Sequence, residues 1–310
     1  MRNFINLSDI DKKDLRNIVD HAKSQKEKRT NLEKSAIDQE APLVGKTLIL
    51  IFEQSSTRTR LSMEIAGRQL GMHVLVLNPR ESHLGKGDES IRDTCKLLNE
   101  YGDICVLRTQ RHSRLVEFAE HLNIPIINGL TGEDGSHPVQ ILGDVQSYEE
   151  VISSITNKNI SYLGDGSNNI ATSLIHASEK FGFNLRIACP KKYGPNKKVL
   201  EWAKSKKANI LITQDLKEAV LESSCVYTDK WLSMHHDKSE KKKRKKLLKP
   251  YQVNKKIMKY CLPNHLFFHC LPRSPDEVTD EIFYGKNSHV WLQAVNRIHI
   301  QKSILTYCLK

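Results

Sequence analysis

The segment ILIFEQSSTRTR, residues 49–60, joins an apolar run to a cluster of hydroxyl and guanidinium groups. The apolar run 47–52 is short and continuous, which is typical of a strand buried on both faces of a parallel sheet. Apolar residues then recur at helical spacing from Leu61 to Leu70, so the sequence predicts a helix that begins near Thr57. The chain therefore passes from a buried strand into a helix at the hydroxyl cluster.

A junction of this kind is a potential anion site. The first N–H groups of a helix have no partner within the helix, and the helix dipole adds partial positive charge there. A simple helix cap with solvated arginines is the alternative interpretation of a lone Ser-Thr pair. The full string Ser-Thr-Arg-Thr-Arg after a strand instead favours charge-assisted binding of phosphate. The sequence thus predicts a phosphate site formed by Ser56, Thr57, Arg58 and Thr59.

Strands and helices alternate along almost the whole chain. Strands are predicted near 47–52, 73–77, 104–107 and 125–127, and then near 160–163, 185–189, 210–212, 225–227 and 266–269. Helices are predicted to begin near residues 57, 90, 113, 169, 196, 215 and 238. This alternation predicts an α/β fold with two doubly wound parallel-sheet domains. A helix from 138 to about 155 is predicted to join them, and a last helix from about 295 to 307 follows.

The basic character of the chain admits two classes of ligand. A formal net charge of +12 favours either anionic metabolites or nucleic acid. The basic run at 241–246 resembles a nucleic-acid patch, but the preceding residues 237–240 have capping-box spacing. Neither interleaved aromatics nor a nucleic-acid-binding motif accompanies the run. We therefore predict a solvated helix here and no nucleic-acid partner.

Cysteine usage and the first residues predict the compartment. The seven cysteines form no Cys-x-x-Cys pair and no metal-ligand spacing, which is typical of a reducing compartment. The first fifteen residues are polar and partly acidic, unlike a secretory leader or a transit peptide. No stretch is long and apolar enough to span a membrane. The sequence predicts a cytoplasmic protein with no metal site and no membrane partner.

Several motifs resemble those of the aspartate/ornithine carbamoyltransferase family. The string Ser-Thr-Arg-Thr-Arg at 56–60 resembles the family's carbamoyl phosphate loop, and HPVQ at 137–140 and NR at 296–297 are similar to two further motifs. The segment DKWLSM at 229–234 resembles the Asp-x-Trp-x-Ser-Met signature of the ornithine branch. The segment HCLP at 269–272 also resembles that branch, since the aspartate branch has His-Pro-Leu-Pro.

The resemblance implies an activity and a domain assignment. Residues 1–148 would bind carbamoyl phosphate, residues 149–294 would bind ornithine, and the last helix, 295–310, would pack back on the first domain. The implied reaction transfers the carbamoyl group to the side-chain amine of ornithine. Neither a metal nor an organic cofactor is implied. The segment 164–169 lacks the full Gly-x-Gly-x-x-Gly spacing of a dinucleotide loop, so no nicotinamide cofactor is inferred.

The resemblance also implies residue roles. Carbamoyl phosphate would contact Ser56, Thr57, Arg58, Thr59, His83, Arg108, His137, Gln140, Cys270, Leu271 and Arg297. Ornithine would contact Asn169, Asp229, Ser233 and Met234. The catalytic residues would be Arg108, His137, Asp229 and Cys270. Because the family's loop at His83 reaches the site of a neighbouring subunit, the resemblance implies a homotrimer with shared sites.

Two departures from the family pattern leave alternatives open. Val295 stands where the family has Glu, which removes an ion-pair partner, and His235 stands where the ornithine branch has Gly. The change at His235 keeps another amine acceptor, putrescine or an N-acylornithine, as an alternative. A non-catalytic nucleic-acid-binding homologue is the remote alternative, because of the charge and the basic run.

Overall fold

The computed structural model describes residues 2–78, 84, 89–132, 135–232 and 237–310. The chain divides into two compact units. The first unit comprises Met1–Gln146 and Val295–Lys310, and the second comprises Ser147–Ala294. Four residues that the sequence singled out lie outside the described residues, namely His83, Ser233, Met234 and His235.

The first unit is built on a four-stranded sheet in which all neighbouring strands are parallel. Its elements are a 3-10 turn (Leu7–Asp9), α1 (Lys12–Lys28), β1 (Thr47–Phe52), α2 (Arg58–Gln69), β2 (His73–Leu77), α3 (Ile91–Tyr101), β3 (Ile104–Thr109), α4 (His112–His121), β4 (Ile126–Thr131) and most of α5 (Pro138–Val151). The strand order β2-β1-β3-β4 places the topological switch between β1 and β3. Ligands of open α/β sheets bind at the carboxyl ends of the strands beside such a switch.

The second unit contains a five-stranded parallel sheet. Its elements are β5 (Asn159–Leu163), α6 (Asn169–Phe181), β6 (Asn184–Ala188), a 3-10 turn (Lys191–Tyr193), α7 (Lys197–Ser205), β7 (Ile210–Thr213), α8 (Leu216–Val220), β8 (Cys225–Thr228), α9 (Lys238–Leu248), a 3-10 turn (Lys249–Tyr251), α10 (Lys255–Met258), β9 (Leu266–His269), α11 (Asp280–Phe283) and the start of α12 (Val290–Leu309). The strand order β7-β6-β5-β8-β9 places the switch between β5 and β8.

The central strands are apolar because they are buried on both faces. In β1, the residues Leu48, Ile49, Leu50 and Ile51 are at most 2% exposed, as expected for a strand buried on both faces. All four residues of β8 are buried as well. The predicted fold class, two doubly wound parallel-sheet domains joined by helices, is confirmed. Among the described residues, no helix has the length and hydropathy needed to cross a membrane.

Several predicted element boundaries are wrong, and the helix predicted from 138 to about 155 ends at Val151. The strand predicted at 125–127 continues to Thr131, because its polar residues find partners inside the unit. Asn128, for example, is fully buried and donates to the Ile5 carbonyl at 3.0 Å. The last helix begins at Val290 rather than near 295. No capping box precedes this helix in the sequence, so its first residue could not be predicted from a capping pattern.

Candidate active site

The predicted phosphate loop lies at the switch point of the first unit. Thr57 is the residue that precedes α2, and among the described residues its side chain makes no capping hydrogen bond. The hydroxyl is therefore not used as an ordinary helix cap, which was the alternative interpretation of this string. Thr57 is exposed, whereas Ser56 and Arg58 are half-buried. Hydroxyl, guanidinium and helix N-terminus thus meet at one strand end, which is the chemistry of an anion site.

Thr59 is linked to the last helix by a buried arginine. The Arg297 guanidinium donates to Thr59 Oγ1 at 3.0 Å and to the side-chain carbonyl of Gln140. Gln140 in turn donates to Asp144 Oδ1 at 2.8 Å. Thr59, Gln140 and Arg297 are each at most 2% exposed. The predicted residues of three separate motifs therefore meet in one buried polar network.

His137 lies in a strongly cationic environment. It is 4% exposed, and burial lowers its pKa well below the ordinary value, with further lowering by Arg297, Arg108 and Arg58. The imidazole is accordingly neutral at physiological pH, because both burial and like charge oppose protonation. A neutral imidazole beside three guanidiniums forms a site that favours an anion.

We expect His137 to make stability depend on pH. Its folded-state pKa lies below the ordinary 6.5, so its contribution is fully present above that value. It is lost as the pH falls towards the folded-state pKa, because only the unfolded chain binds the proton. The loss is about 1.4 kcal/mol per pH unit in this window. His137→Gln should flatten the fall of the thermal midpoint between pH 7.5 and pH 5.5.

The control for this measurement is His73→Gln, since His73 is exposed at the start of β2. This variant should keep the wild-type slope of thermal midpoint against pH. Equal slopes in wild type and His137→Gln would contradict a neutral, buried His137.

The first sheet has an irregularity beside Arg108. The register between β3 and β4 shifts at this point, because Leu107 pairs with Asn128 and Arg108 pairs with Leu130. The extra residue, Gly129, lies so close to β3 that a Cβ atom would be 3.2 Å from the Leu107 carbonyl oxygen. Bulges are frequent next to active sites because they redirect a side chain. Arg108 contributes to the cationic environment of His137.

The second unit has its own group of polar residues at a switch point. The residues after β5, β8 and β9 contain Asp165 to Asn168, Asp229 and Cys270, respectively. These three strands are neighbours in the sheet, so their carboxyl ends share one edge. Gly164, at the end of β5, has φ of +124°, and a Cβ there would lie 2.6 Å from Trp231 Nε1. The loops after β5 and β8 therefore touch.

Asp229 and Cys270 form a direct hydrogen bond. The Cys270 thiol donates to Asp229 Oδ1 at 2.7 Å, and Asn168 Nδ2 lies 3.3 Å from Asp229 Oδ2. Burial raises the pKa of Asp229, although nearby His269 and the Cys270 hydrogen bond act in the opposite direction. Asn168 also donates to the Tyr162 hydroxyl at 2.7 Å. A buried carboxylate with a thiol beside it is suited to hold an ammonium group and to accept its proton.

His269 organises the neighbouring backbone. Its Nδ1 accepts a hydrogen bond from the Leu271 N–H at 2.9 Å, and Leu271 has a φ of +59°. A left-handed conformation costs about 1 kcal/mol or more for a residue with a side chain. The hydrogen bond to His269 offsets part of that cost. The Leu271-Pro272 peptide bond is cis.

Potential metal ligands occur together in the second unit. One ligand atom each from Asp229, His269 and Cys270 lies within 4.8 Å of the others, and such a donor set has the chemistry to bind zinc. In the described structure, however, Cys270 donates to Asp229 and His269 Nδ1 accepts from Leu271. The other ring nitrogen of His269, Nε2, lies 3.7 Å from Glu277 Oε2.

Two family models match the chain. One is described as "Aspartate/ornithine carbamoyltransferase, carbamoyl-P binding domain" and matches residues 2–150. The other is described as "Aspartate/ornithine carbamoyltransferase, Asp/Orn binding domain" and matches residues 156–308. The chain belongs to the aspartate/ornithine carbamoyltransferase family. The family predicted from the sequence motifs is therefore confirmed.

Members of the aspartate/ornithine carbamoyltransferase family match over the full chain. A protein of Ruegeria pomeroyi named ornithine carbamoyltransferase is 41% identical over 310 residues, which is 100% of this chain and 99% of its own. One of Rhizobium meliloti with the same name is 42% identical and covers 99% of this chain and 98% of its own. The solved structure of ornithine carbamoyltransferase from Pyrococcus furiosus has a TM-score of 0.92 at 36% identity, covering 99% and 97% of the two chains.

Within this family framework, most predicted site residues lie in two groups. Thr59, His137, Gln140 and Arg297, together with Arg58 and Arg108, belong to the first unit, and Asp229 and Cys270 belong to the second. Asn169 opens α6 directly after Asn168. The roles assigned to these residues, and to Leu271, stay predictions. The roles of His83, Ser233 and Met234 fall outside the described residues.

The sequence missed several residues of the second group. Asn168, Tyr162 and His269 all contact predicted site residues or their backbone. Asn168 also caps α6, because its side-chain oxygen accepts a hydrogen bond from the Ala171 N–H. Asn is a preferred residue before a helix, so the sequence could have predicted this cap. His269 is the first residue of the HCLP motif, but no role was predicted for it from the sequence. Tyr162 belongs to a buried strand, where the apolar pattern gives no sign of a polar role.

Proposed function

We propose that this chain transfers the carbamoyl group of carbamoyl phosphate to the side-chain amine of L-ornithine, giving L-citrulline and phosphate. The observation that carries the proposal is the Asp229–Cys270 hydrogen bond in a unit that matches the acceptor-binding domain of the family. A buried carboxylate attracts an ammonium group, and it opposes a second carboxylate such as the side chain of aspartate. The full-length relatives named ornithine carbamoyltransferase support the same acceptor.

On the donor side, the residues of the first unit hold carbamoyl phosphate. Ser56, Thr57 and Arg58 bind its phosphate, with His83 of a neighbouring subunit as a further ligand. Thr59, Arg108 and His137 donate to the carbamoyl oxygen, Arg297 adds a further contact, and Gln140 contacts the carbamoyl amine. These roles rest on the cationic, buried group described above. Donors placed where an oxyanion develops stabilise the transition state more than the ground state.

On the acceptor side, Asn169, Asp229, Ser233 and Met234 hold ornithine. The side-chain ammonium of ornithine must lose a proton before it attacks, since an ordinary alkylammonium has a pKa of about 10.4. Asp229 is the base for that proton, because burial raises its pKa and strengthens it as a base. Cys270 orients the Asp229 carboxylate through the thiol hydrogen bond, and the family resemblance assigns it a contact with carbamoyl phosphate.

The chemical step then forms one bond and breaks another. The neutral amine attacks the carbamoyl carbon, and the carbonyl electrons move to oxygen, where the donors of the first unit bind the resulting oxyanion. The intermediate collapses by re-forming the carbonyl and breaking the bond to phosphate. The attacking nitrogen releases its extra proton to the departing phosphate. Leu271 binds the carbamoyl amine through its backbone carbonyl in this proposal.

We further propose a cytoplasmic homotrimer with shared sites. The assignment of His83 requires a neighbouring subunit, and apolar residues exposed on the first unit supply surface for one. Leu75 on the edge strand β2 is 47% exposed, and Leu97 on α3 is 50% exposed; exposed apolar surface and an open sheet edge favour association. Sedimentation equilibrium should give a mass three times that of the chain, and a monomer mass would contradict the shared site.

The function is tested by citrulline formation with carbamoyl phosphate and ornithine, run beside putrescine, aspartate and N-acetylornithine. We expect turnover with ornithine alone. Arg58→Ala should abolish it, whereas Arg60→Ala in the same string should retain it because Arg60 is exposed. Turnover with another amine would keep the reaction and change the acceptor. Absence of turnover with every acceptor would overturn the proposed function.

A further inference from the structure

Two charged side chains are buried beside the acceptor residues and belong to none of the family motifs discussed above. Arg244 is 6% exposed although it lies inside the lysine run, and Glu277 is 1% exposed. The sequence predicted a solvated helix for this run, and that prediction is wrong for Arg244. Burying a charge is costly unless it is paired and hydrogen-bonded.

Arg244 joins two loops of the second unit. Its guanidinium forms an ion pair with Asp165 in the loop after β5, and its Nε donates to the Trp231 carbonyl at 3.0 Å in the loop after β8. The planar group also stacks over the Tyr193 ring at 4.4 Å. Hydrogen bonds in two directions and stacking on one face hold the Arg244 guanidinium in one orientation. A lysine ammonium cannot make this set of contacts.

Glu277 joins the loop after β8 to the loop after β9. It accepts from the Trp231 N–H at 3.2 Å and from the Ser274 N–H. Ser274 lies four residues after Cys270, and Trp231 lies two residues after Asp229. The N–H of Trp231 is therefore held by Glu277, while its carbonyl is held by Arg244.

These contacts connect the three loops in series. The order is Asp165, Arg244, Trp231, Glu277 and Ser274, with every link a hydrogen bond or ion pair. Asp165 extends the series at its own end, since its Oδ1 accepts from the Ser167 N–H at 3.0 Å. The loops so joined carry Asn168, Asp229 and Cys270. Their separation at the sheet edge is thus fixed by two buried charges.

We propose that Arg244 and Glu277, together the acceptor clamp, are positioning residues that set the geometry of the ornithine site. This inference rests on the proposed function. The clamp acts through Trp231 on Asp229, and through Ser274 on Cys270, and it does not touch the reacting atoms. Displacement of a binding group by about 1 Å costs about 100-fold in rate, so loosening the clamp reduces productive binding of ornithine.

The test uses conservative variants of both clamp residues. Arg244→Lys keeps the positive charge but loses the planar guanidinium with its several donors. Glu277→Gln keeps the shape of the side chain but places its NH2 group against one of the two backbone N–H groups. Each variant should raise KM for ornithine about 10-fold to 100-fold and leave KM for carbamoyl phosphate within about twofold. The matched controls are Lys242→Met, an exposed residue of the same run, and Glu281→Gln, whose partner is the exposed Lys255.

The outcomes separate positioning from a purely structural role. A structural role would lower the amount of folded enzyme, and hence kcat, without changing either KM. Folded variants with an unchanged KM for ornithine would therefore overturn the proposal. Failure of Arg244→Lys to fold would also overturn it, because the residue would then serve folding rather than positioning.

If the wild type is inactive on ornithine, the proposed function is wrong. The acceptor clamp can then still be tested by the rate at which the Cys270 thiol is alkylated. The Cys270 thiol, held by Asp229, should react several-fold faster with iodoacetamide in both clamp variants, with Cys270→Ala as the blank. An unchanged rate would overturn the clamp.

Discussion

Replacement of Asp229 by Asn is expected to lower kcat/KM for ornithine by about three orders of magnitude. The variant loses both the negative charge that attracts the ammonium and the base that accepts its proton, and loss of a general base costs about 100-fold to 10,000-fold. The measurement is steady-state citrulline formation at saturating carbamoyl phosphate. A fall of less than about tenfold would remove Asp229 from the mechanism.

The same substitution should not lower stability, which distinguishes a functional residue from a structural one. Burial raises the pKa of Asp229 in the folded protein. A raised folded-state pKa contributes stability at low pH that is lost as the pH rises through it, because ionisation then becomes unfavourable in the folded state. Asn removes this loss, so the thermal midpoint at neutral pH should equal or exceed that of the wild type.

The isosteric control for Asp229→Asn is Asp20→Asn. Asp20 is exposed on α1, and it pairs with Arg16 one turn away at 2.8 Å. Surface pairs of this kind contribute about 0–1 kcal/mol, so neither kinetics nor thermal midpoint should change appreciably. A parallel fall of activity in both variants would point to a general effect of lost carboxylates rather than to the acceptor site.

The fold could be predicted from the sequence because strands and helices leave local patterns of apolar residues. Buried parallel strands are continuous apolar runs, and β1 and β8 are of this kind. Motifs at strand ends also predict proximity, since the carboxyl ends of parallel strands share one edge. The placement of Arg58 and Arg108 near His137, and of Asp229 near Cys270, follows from that rule together with the family resemblance.

The structural features that the sequence did not predict depend on contacts between residues that are distant along the chain. Arg244 meets Asp165 across 79 residues. Arg244 is the one arginine of the run and lies one turn before the buried Leu248, but neither feature identifies Asp165 as its partner. The register shift beside Arg108 occurs where Gly129 approaches β3 closely, and no periodicity in the sequence encodes it. Tertiary contacts determine such features, and local sequence patterns do not predict them.

The loss of Glu at position 295 illustrates the same limit. The family pattern implied that Val295 removes an anchor of the last helix. In the structure, Val295 is 50% exposed, and neighbouring contacts hold the helix instead. Asn296 accepts from Lys26 at 2.8 Å, and the buried Lys302 forms an ion pair with Asp38. The helix therefore places Arg297 without the missing carboxylate.

Replacement of Arg297 is the variant for which we expect the largest effect on the donor side. Arg297→Met should lower kcat/KM for carbamoyl phosphate by about 100-fold to 1,000-fold, the usual loss when a donor to developing negative charge is removed. Arg297→Lys should recover only part of the activity, because one ammonium cannot contact Thr59 and Gln140 as the planar fork does. Arg60→Met, at an exposed arginine, is the control and should retain wild-type kinetics.

A second measurement on Arg297→Met tests the electrostatics independently of turnover. Arg297 is one of the three arginines that lower the pKa of His137, so its removal should raise that pKa towards the ordinary value. The difference between the folded and unfolded pKa then shrinks, and the acid-side loss of stability becomes smaller. NMR titration of His137 would follow the pKa directly. A kinetic loss with no change in this pKa would mean that Arg297 binds substrate without contributing to the field at His137.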